Sequence, residues 1–437
     1  MKTANLEKLA LLGGPPVLKK EFPLFNSIGS DEVQAVKEVM ESGQLSGYYG
    51  SWGPEFFGGK KVKEFENAWS NKFRCKYSIA INSNTSGLFA AMGAIELTPG
   101  DEVIVPPLSM SATAITPLFY GGIPVFCDVE PVTCTLDPEK VKRLITKKTK
   151  AIVVVNLFGH IAYLSQLREI ADKHNLFLIE DNAQAPLGKE DNNLAGTVGD
   201  IGIFSLNYHK HFHTGEGGVC VTNSEQLAKK LQLIRNHGEN CVEELNVKNE
   251  INTIGLNLRM TEISAAIGLE QLKKADDLVQ ERVDIAHYLN ENINNLTGIN
   301  LPIQRKNTRP VYYMYQMRFD EEKVGVSREL FSRALAAEGF PTFLGFIKPL
   351  YLLPAFQNKI AIGKNGFPFK RGRYSLPFFN KNYSYKKGLC PIAEKLHEKE
   401  LMGFDSCCIK LNLEDLELLS KAFKKVFNNR NQLKNYK

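Results

Sequence analysis

Three short stretches of this 437-residue chain bring reactive side chains to turns. In NSNTSGL, residues 82–88, the polar side chains of Asn82, Ser83, Asn84, Thr85 and Ser86 crowd the point where an apolar run gives way to an Ala-rich one. The first N–H groups of a helix lack intrahelical partners, and the helix dipole favours negative charge there. Such a start can cradle a phosphate, or it can be a plain N-cap. In LIEDNAQA, residues 178–185, two adjacent carboxylates close an apolar strand. Side chains alternate along a strand, so Glu180 and Asp181 face opposite sides and one of them can meet a ligand. A buried carboxylate there can keep a ring nitrogen protonated, or it can cap the next turn. In FSLNYHKHFHTGEGG, residues 204–218, Lys210 stands among aromatic residues ahead of turn glycines. A desolvated lysine is a nucleophile toward carbonyls, whereas a solvated one is only a surface charge. His209, His211 and His213 would share a face in an extended segment. No carboxylate or cysteine sits at a supporting ligand spacing, so no metal is expected.

The elements that must hold these residues are legible as periodicity. YSIAIN, DEVIVPP, IPVFCDV, KAIVVVNLFG and LFLIEDNAQA read as strands rich in β-branched and aromatic residues. Amphipathic stretches such as 137–149 and 165–175 separate them. Strands alternating with helices predict a mostly parallel sheet covered on both faces, with ligands at the carboxyl ends of its strands. GIFSL (202–206) and GGVCVTN (217–223) lie close together and predict one antiparallel or edge element. Residues 259–293 predict a long helix bridging two domains. RPVYYMYQMRFD (309–320) reads as a strand, 327–339 as a helix closed by Gly339, and 413–432 as an amphipathic helix with a frayed tail. The expected division is an arm over 1–25, a large domain over 26–293 and a smaller α+β domain over 294–437.

The bulk composition sets outer limits. Apolar residues make up 43% and charged residues 23%, which excludes disorder, collagen and a small disulfide scaffold. The net charge of +6 is spread over the chain, so nucleic acid is not an expected partner. No run of about 18 apolar residues exists, so no membrane span is expected. The N-terminal apolar stretch is too short for a secretory signal. Eight dilute cysteines without a CxxC pair point to a reduced, cytoplasmic protein without structural zinc.

A phosphate cradle, a strand-end carboxylate and a later lysine, in that order, suit pyridoxal phosphate. That cofactor has a phosphate tail, a basic ring nitrogen and an aldehyde. The chain resembles the DegT/DnrJ/StrS sugar aminotransferases, from about Leu9 to the C-terminal helix. The resemblance is carried by NSNTSGLFAAMGAIELTPGDEVIVPP, GGIPVFCDVEPVTCTLDPEKV, LIEDNAQAPLG, GTVGDIGIFSL, the lysine loop ending in GEGG, GLNLRMTEISAAIGLEQL and CPIAEKLHEKEL. It implies an α/β, aspartate-aminotransferase-like fold (fold type I) and transfer of an amino group from glutamate or glutamine. The acceptor would be a keto sugar, nucleotide-linked, or a cyclitol ketone. It matches Lys210 to the lysine that holds the cofactor covalently, Asp181 to the partner of the ring nitrogen, and Gln184 to a residue beside the ring. Thr85, Ser86 and Ser205 match phosphate contacts. Asn257 matches an asparagine lent by the neighbouring subunit, which implies a homodimer with a shared site. Ser109 and Met110 replace the family's Thr and stacking aromatic, leaving Met110 to pack on the ring through its sulfur. Asn156 and Asn182 are further departures.

Two alternatives accompany that reading. Some relatives carry His in place of the lysine and act as dehydratases on the amine form of the cofactor, which a one-residue slip to His209 or His211 would reproduce. A non-catalytic binding protein on the same fold is the other. Residues 354–388 interleave lysines and arginines with Phe and Tyr, as either a solvated excursion or a clamp for a nucleotide diphosphate.

Overall fold

A computed structural model of the chain describes residues 7–340, 342–369 and 383–436. The apolar runs become strands β1 (Tyr77–Ile81), β2 (Glu102–Val105), β3 (Ile123–Phe126), β4 (Thr149–Val155) and β5 (Phe177–Asp181). A short hairpin of β6 (Lys189–Glu190) and β7 (Asn193–Leu194) precedes β8 (Ile201–Ser205) and β9 (Gly218–Thr222). Seven of these form one sheet in the order β1-β9-β8-β5-β4-β2-β3. From β8 to β3 every pairing is parallel. The expected antiparallel element is β9, and it lies inside the sheet between β1 and β8 rather than at the rim.

Strand β4 shows why this sheet needs cover on both faces. Ala151, Val153 and Val155 pack with Leu88, Ala91 and Met92 of the helix Asn84–Ala94. Ile152 and Val154 face the other way, into a cluster with Phe65 and Trp69 of the helix Lys60–Phe73. Ala265, Leu272 and Ala275 of the helix Glu262–Asn292 complete that second layer. Farther along the same long helix, Val283, Ala286 and Leu289 join a third cluster, so one helix borders both parts of the molecule.

That third cluster lies on a second sheet. Its strands are β10 (Ile299–Asn300), β12 (Tyr315–Phe319), β13 (Phe343–Leu344) and β14 (Leu401–Phe404), antiparallel in the order β10-β12-β14-β13. Strand β11 (Thr308–Arg309) pairs instead with β6. The helices Arg328–Ala337 and Leu413–Asn429 cover this sheet, together with Leu9 and Leu18 from the N-terminal arm.

Two sequence expectations need correction. The single strand over 309–320 is two strands separated by a strap, with Tyr312 at φ 48°. The cause is competition for backbone groups: Val311 N donates to Gly159 O (2.9 Å) and Met314 N to Phe158 O (3.4 Å). The C-terminal tail is not frayed over its described length, for residues 430–435 form a 3-10 helix that buries Leu433. Part of the basic aromatic excursion packs back on the large sheet, where Tyr351, Phe356 and Tyr385 surround Phe126. Its cations Lys370, Arg371, Arg373 and Lys381 lie outside the described residues.

Candidate active site

The carboxyl ends of β1, β5 and β8 converge on one cavity of about 210 Å³. At the first of these ends, Ser83 caps the helix Asn84–Ala94, its Oγ accepting from Ser86 N (3.1 Å) and pairing with Ser86 Oγ (2.9 Å). Strand β9 begins hard against this helix start. A Cβ on Gly218 would sit 2.8 Å from Asn84 N, so only glycine permits the approach. The side chain of Thr85 lines the cavity, while that of Ser86 is turned to Ser83.

At the end of β5 the two carboxylates part as alternation requires. Glu180 turns away and accepts from Gly196 N (2.7 Å), Val198 N (2.8 Å) and Gly199 N (2.6 Å). Asp181 turns into the cavity. Its Oδ1 accepts from Asn84 Nδ2 and Ala183 N, its Oδ2 from Thr113 Oγ1, each at 3.2 Å. Burial raises the Asp181 pKa, and these donors and the nearby Lys210 charge pull it back. Gln184 follows on the same wall, its Oε1 accepting from Phe158 N (2.6 Å).

The lysine loop runs between β8 and β9 and is closed on itself. Leu206 N donates to Gly217 O (2.9 Å), and Asn207 Nδ2 donates to Glu216 Oε1 (2.7 Å). Inside this loop Lys210 is only 7% exposed. Burial pushes its amine down to about 8, against the pull of Asp181. Among the described residues the amine makes no hydrogen bond or ion pair; it lies 4.1 Å from the centre of the Tyr313 ring.

The histidines do not share a face, because the loop is not extended. His209 lines the cavity beside Lys210. His211 is fully buried, its Nε2 donating to Val311 O (2.8 Å), and burial pushes its pKa down to about 3. His213 accepts at Nδ1 from Gly215 N (3.2 Å).

The cavity thus gathers Thr85, Met110, Asp181, Gln184, Ser205 and Lys210. Ser86 is not on its wall. Asn257 is exposed, accepts at Oδ1 from Arg259 Nε (2.9 Å) and is not on the cavity wall. Sequence reasoning missed Asn207 and Glu216 on the wall and Thr113, which pairs with Ser109 (2.8 Å) behind Asp181. Asn207 and Glu216 lie within the quoted 204–218 stretch, and that placement was the one available signal for them. Tyr313, far along the chain, carried none.

Pyridoxal phosphate suits this donor set. A buried amine and the Asn84 and Thr85 N–H groups of a helix start, all without a hydrogen-bonding partner among the described residues, and a buried carboxylate are the three complements it needs. The buried Oδ1 atoms of Asn84 and Asn207 also lack partners among the described residues, leaving acceptors ready for a ligand's donors.

Comparison with known proteins agrees with this geometry. The model of the DegT/DnrJ/EryC1/StrS aminotransferase family matches residues 26–372. The GDP-perosamine synthase of Caulobacter vibrioides is 35% identical over 304 residues, 69% of this chain and 80% of that one. The L-glutamine:2-deoxy-scyllo-inosose aminotransferase of Streptomyces kanamyceticus is 30% identical over 441 residues, 97% of each chain. A solved aminotransferase from Psychrobacter cryohalolentis superposes with a TM-score of 0.79 at 28% identity, over 93% of this chain and 99% of that one.

Proposed function

The chain belongs to the DegT/DnrJ/EryC1/StrS aminotransferase family, and from that premise we propose how its cavity moves an amino group from glutamate or glutamine to a keto sugar or cyclitol ketone. The enzyme is a pyridoxal-phosphate-dependent aminotransferase of the aspartate-aminotransferase-like fold. When bound, the cofactor supplies an aldehyde for amine exchange and a ring that withdraws electrons. Lys210 holds it covalently, and its freed Nζ takes and returns the proton at the amine-bearing carbon of the substrate. Asp181 holds the proton on the ring nitrogen. Gln184 and Met110, both on the cavity wall, would hold its ring. Thr85, Ser205 and the free helix N–H groups take the phosphate, while Ser86, turned to Ser83, holds the helix start that presents them.

The carrying observation is the buried amine of Lys210 in one cavity with the buried Asp181. Borohydride reduction followed by peptide mapping tests it, together with stopped-flow absorbance. The label is expected on Lys210. An amino donor should convert the aldehyde form to the amine form, and a keto acceptor should restore it. A label elsewhere, or water release without donor consumption, overturns the assignment. The dehydratase alternative needs an imidazole at the lysine position: His211 is turned to Val311 O, whereas His209 lines the cavity beside Lys210, and the borohydride label separates the two readings.

Full-length alignment with the Streptomyces enzyme, excursion included, supports a cyclitol acceptor and glutamine as donor. The Caulobacter relative makes nucleotide-linked keto sugars the other acceptors to screen. A second copy completes the site. Supporting this, the exposed Asn257 sits beside Ile254 (78% exposed) and Leu256, and Met110 at the rim is 58% exposed. The division into 1–25, 26–293 and 294–437 is supported by the separate clusters on the two sheets, with Leu350, Tyr351, Phe356, Tyr385, Cys390 and Leu396 leaning back on the first. Free cysteines and the lack of a membrane-crossing helix among the described residues support a cytoplasmic enzyme.

A further inference from the structure

Three consecutive residues of the lysine loop surround one ring. Lys210 Nζ lies 4.1 Å from the centroid of Tyr313. The rings of His209 and His211 stand on either side in sequence, each 6.1 Å from Tyr313 and tilted by 43° and 44°. Tyr313 is 3% exposed, so this packing is desolvated.

The backbone that carries the ring is pinned from several sides. His211 Nε2 donates to Val311 O (2.8 Å), and Val311 N donates to Gly159 O (2.9 Å). Ser406 Oγ, from the turn after β14, donates to Tyr312 O (2.7 Å). A Cβ on Gly159 would meet Tyr312 N at 2.6 Å and Tyr313 N at 2.7 Å, so the turn at 157–159 must carry glycine for the strap to come so near. The same turn offers Phe158 N to Gln184. The strap before β12 therefore reaches the amine directly through Tyr313 and the glutamine through the 157–159 turn.

We infer that Tyr313 is the positioning residue of Lys210: its ring face attracts the ammonium and holds Nζ at the cavity wall when the amine is free. This rests on the reading of Lys210 as the reacting amine. The attraction between a cation and a ring face grows when both are out of water, and here no hydrogen bond among the described residues competes with it. The titratable groups facing Lys210 are Asp181 at the end of β5, Asp405 and the thiols Cys407 and Cys408 from the turn after β14, both pushed up by burial and so neutral, and His209 and His211 from its own loop. The ring acts with Asp181 in favouring the ammonium, against burial.

The test is competitive acetylation of the full chain without cofactor, across pH, read at the Lys210 peptide by mass spectrometry. Tyr313→Leu keeps the site apolar but removes the ring face, and should lower the Lys210 midpoint by about one pH unit. Tyr313→Phe keeps the face and should titrate like the parent. Tyr313→Phe made with successively fluorinated rings keeps the shape and weakens the face, so its midpoint should fall stepwise even if the Leu variant misfolds. Fluorinated rings that titrate at the parent midpoint overturn the inference, as does a Phe variant that shifts as far as Leu. Borohydride mapping of the holoenzyme tests the role of Lys210 separately, so a label on another lysine would sink that role while leaving the ring's effect readable.

Discussion

At the scale of single residues the reaction depends on a lysine that is nucleophilic near neutral pH. Burial brings Lys210 down to about 8 from the usual 10.5. Only the neutral amine attacks an aldehyde. Covalent loading of the cofactor should therefore speed up about tenfold per pH unit below 8 and level off above it. Absorbance-monitored reconstitution checks this; a rate still climbing at pH 10 would mean an ordinary lysine. Asp181→Asn should retain cofactor yet slow turnover on the order of 10²-fold or more, because the ring loses its counter-charge. Near-normal turnover would remove Asp181 from the mechanism. Lys210 and Asp181 were readable because their motifs are local, each a few residues around a strand end. Thr113 and Tyr313 were not, because they meet these groups only across the fold.

At the scale of elements, the end of β5 joins the site to the sheet. Glu180 takes three backbone N–H groups of the 196–199 turn and so anchors the connection into β8. Glu180→Leu would leave those donors buried without an acceptor and should cost about 3 kcal/mol, read by urea unfolding. A loss below about 1 kcal/mol would show that water or a rearranged turn replaces the carboxylate. Alternation told from sequence that one of the two carboxylates faces a ligand. It could not tell which, since that depends on what packs against each face. The strap between β11 and β12 escaped the pattern for a related reason. Its residues have strand-like propensity, but Gly159 and Ser406 claim their backbone groups, and tertiary hydrogen bonds override local preference.

At the scale of the whole molecule the open question is how a second copy shares the work. If Asn257 reaches the phosphate of its partner, Asn257→Asp should be inactive alone, since it sets a carboxylate against a phosphate. Mixing it with Lys210→Ala and reassociating should restore activity to about a quarter of the parent, because each mixed dimer regains one intact site. No recovery, or an active monomer in sedimentation, would confine the site to one chain. By itself the sequence determined the strand–helix alternation, the long helix, the family resemblance and the local cofactor motifs. All of these are written in short-range periodicity and contiguous strings. Tertiary structure alone decided that β9 inserts inside the sheet, that the histidines diverge and that Tyr313 comes to rest over Lys210. These depend on contacts between residues a hundred or more positions apart, whose geometry is set by packing and hydrogen-bond satisfaction rather than by neighbours in the chain.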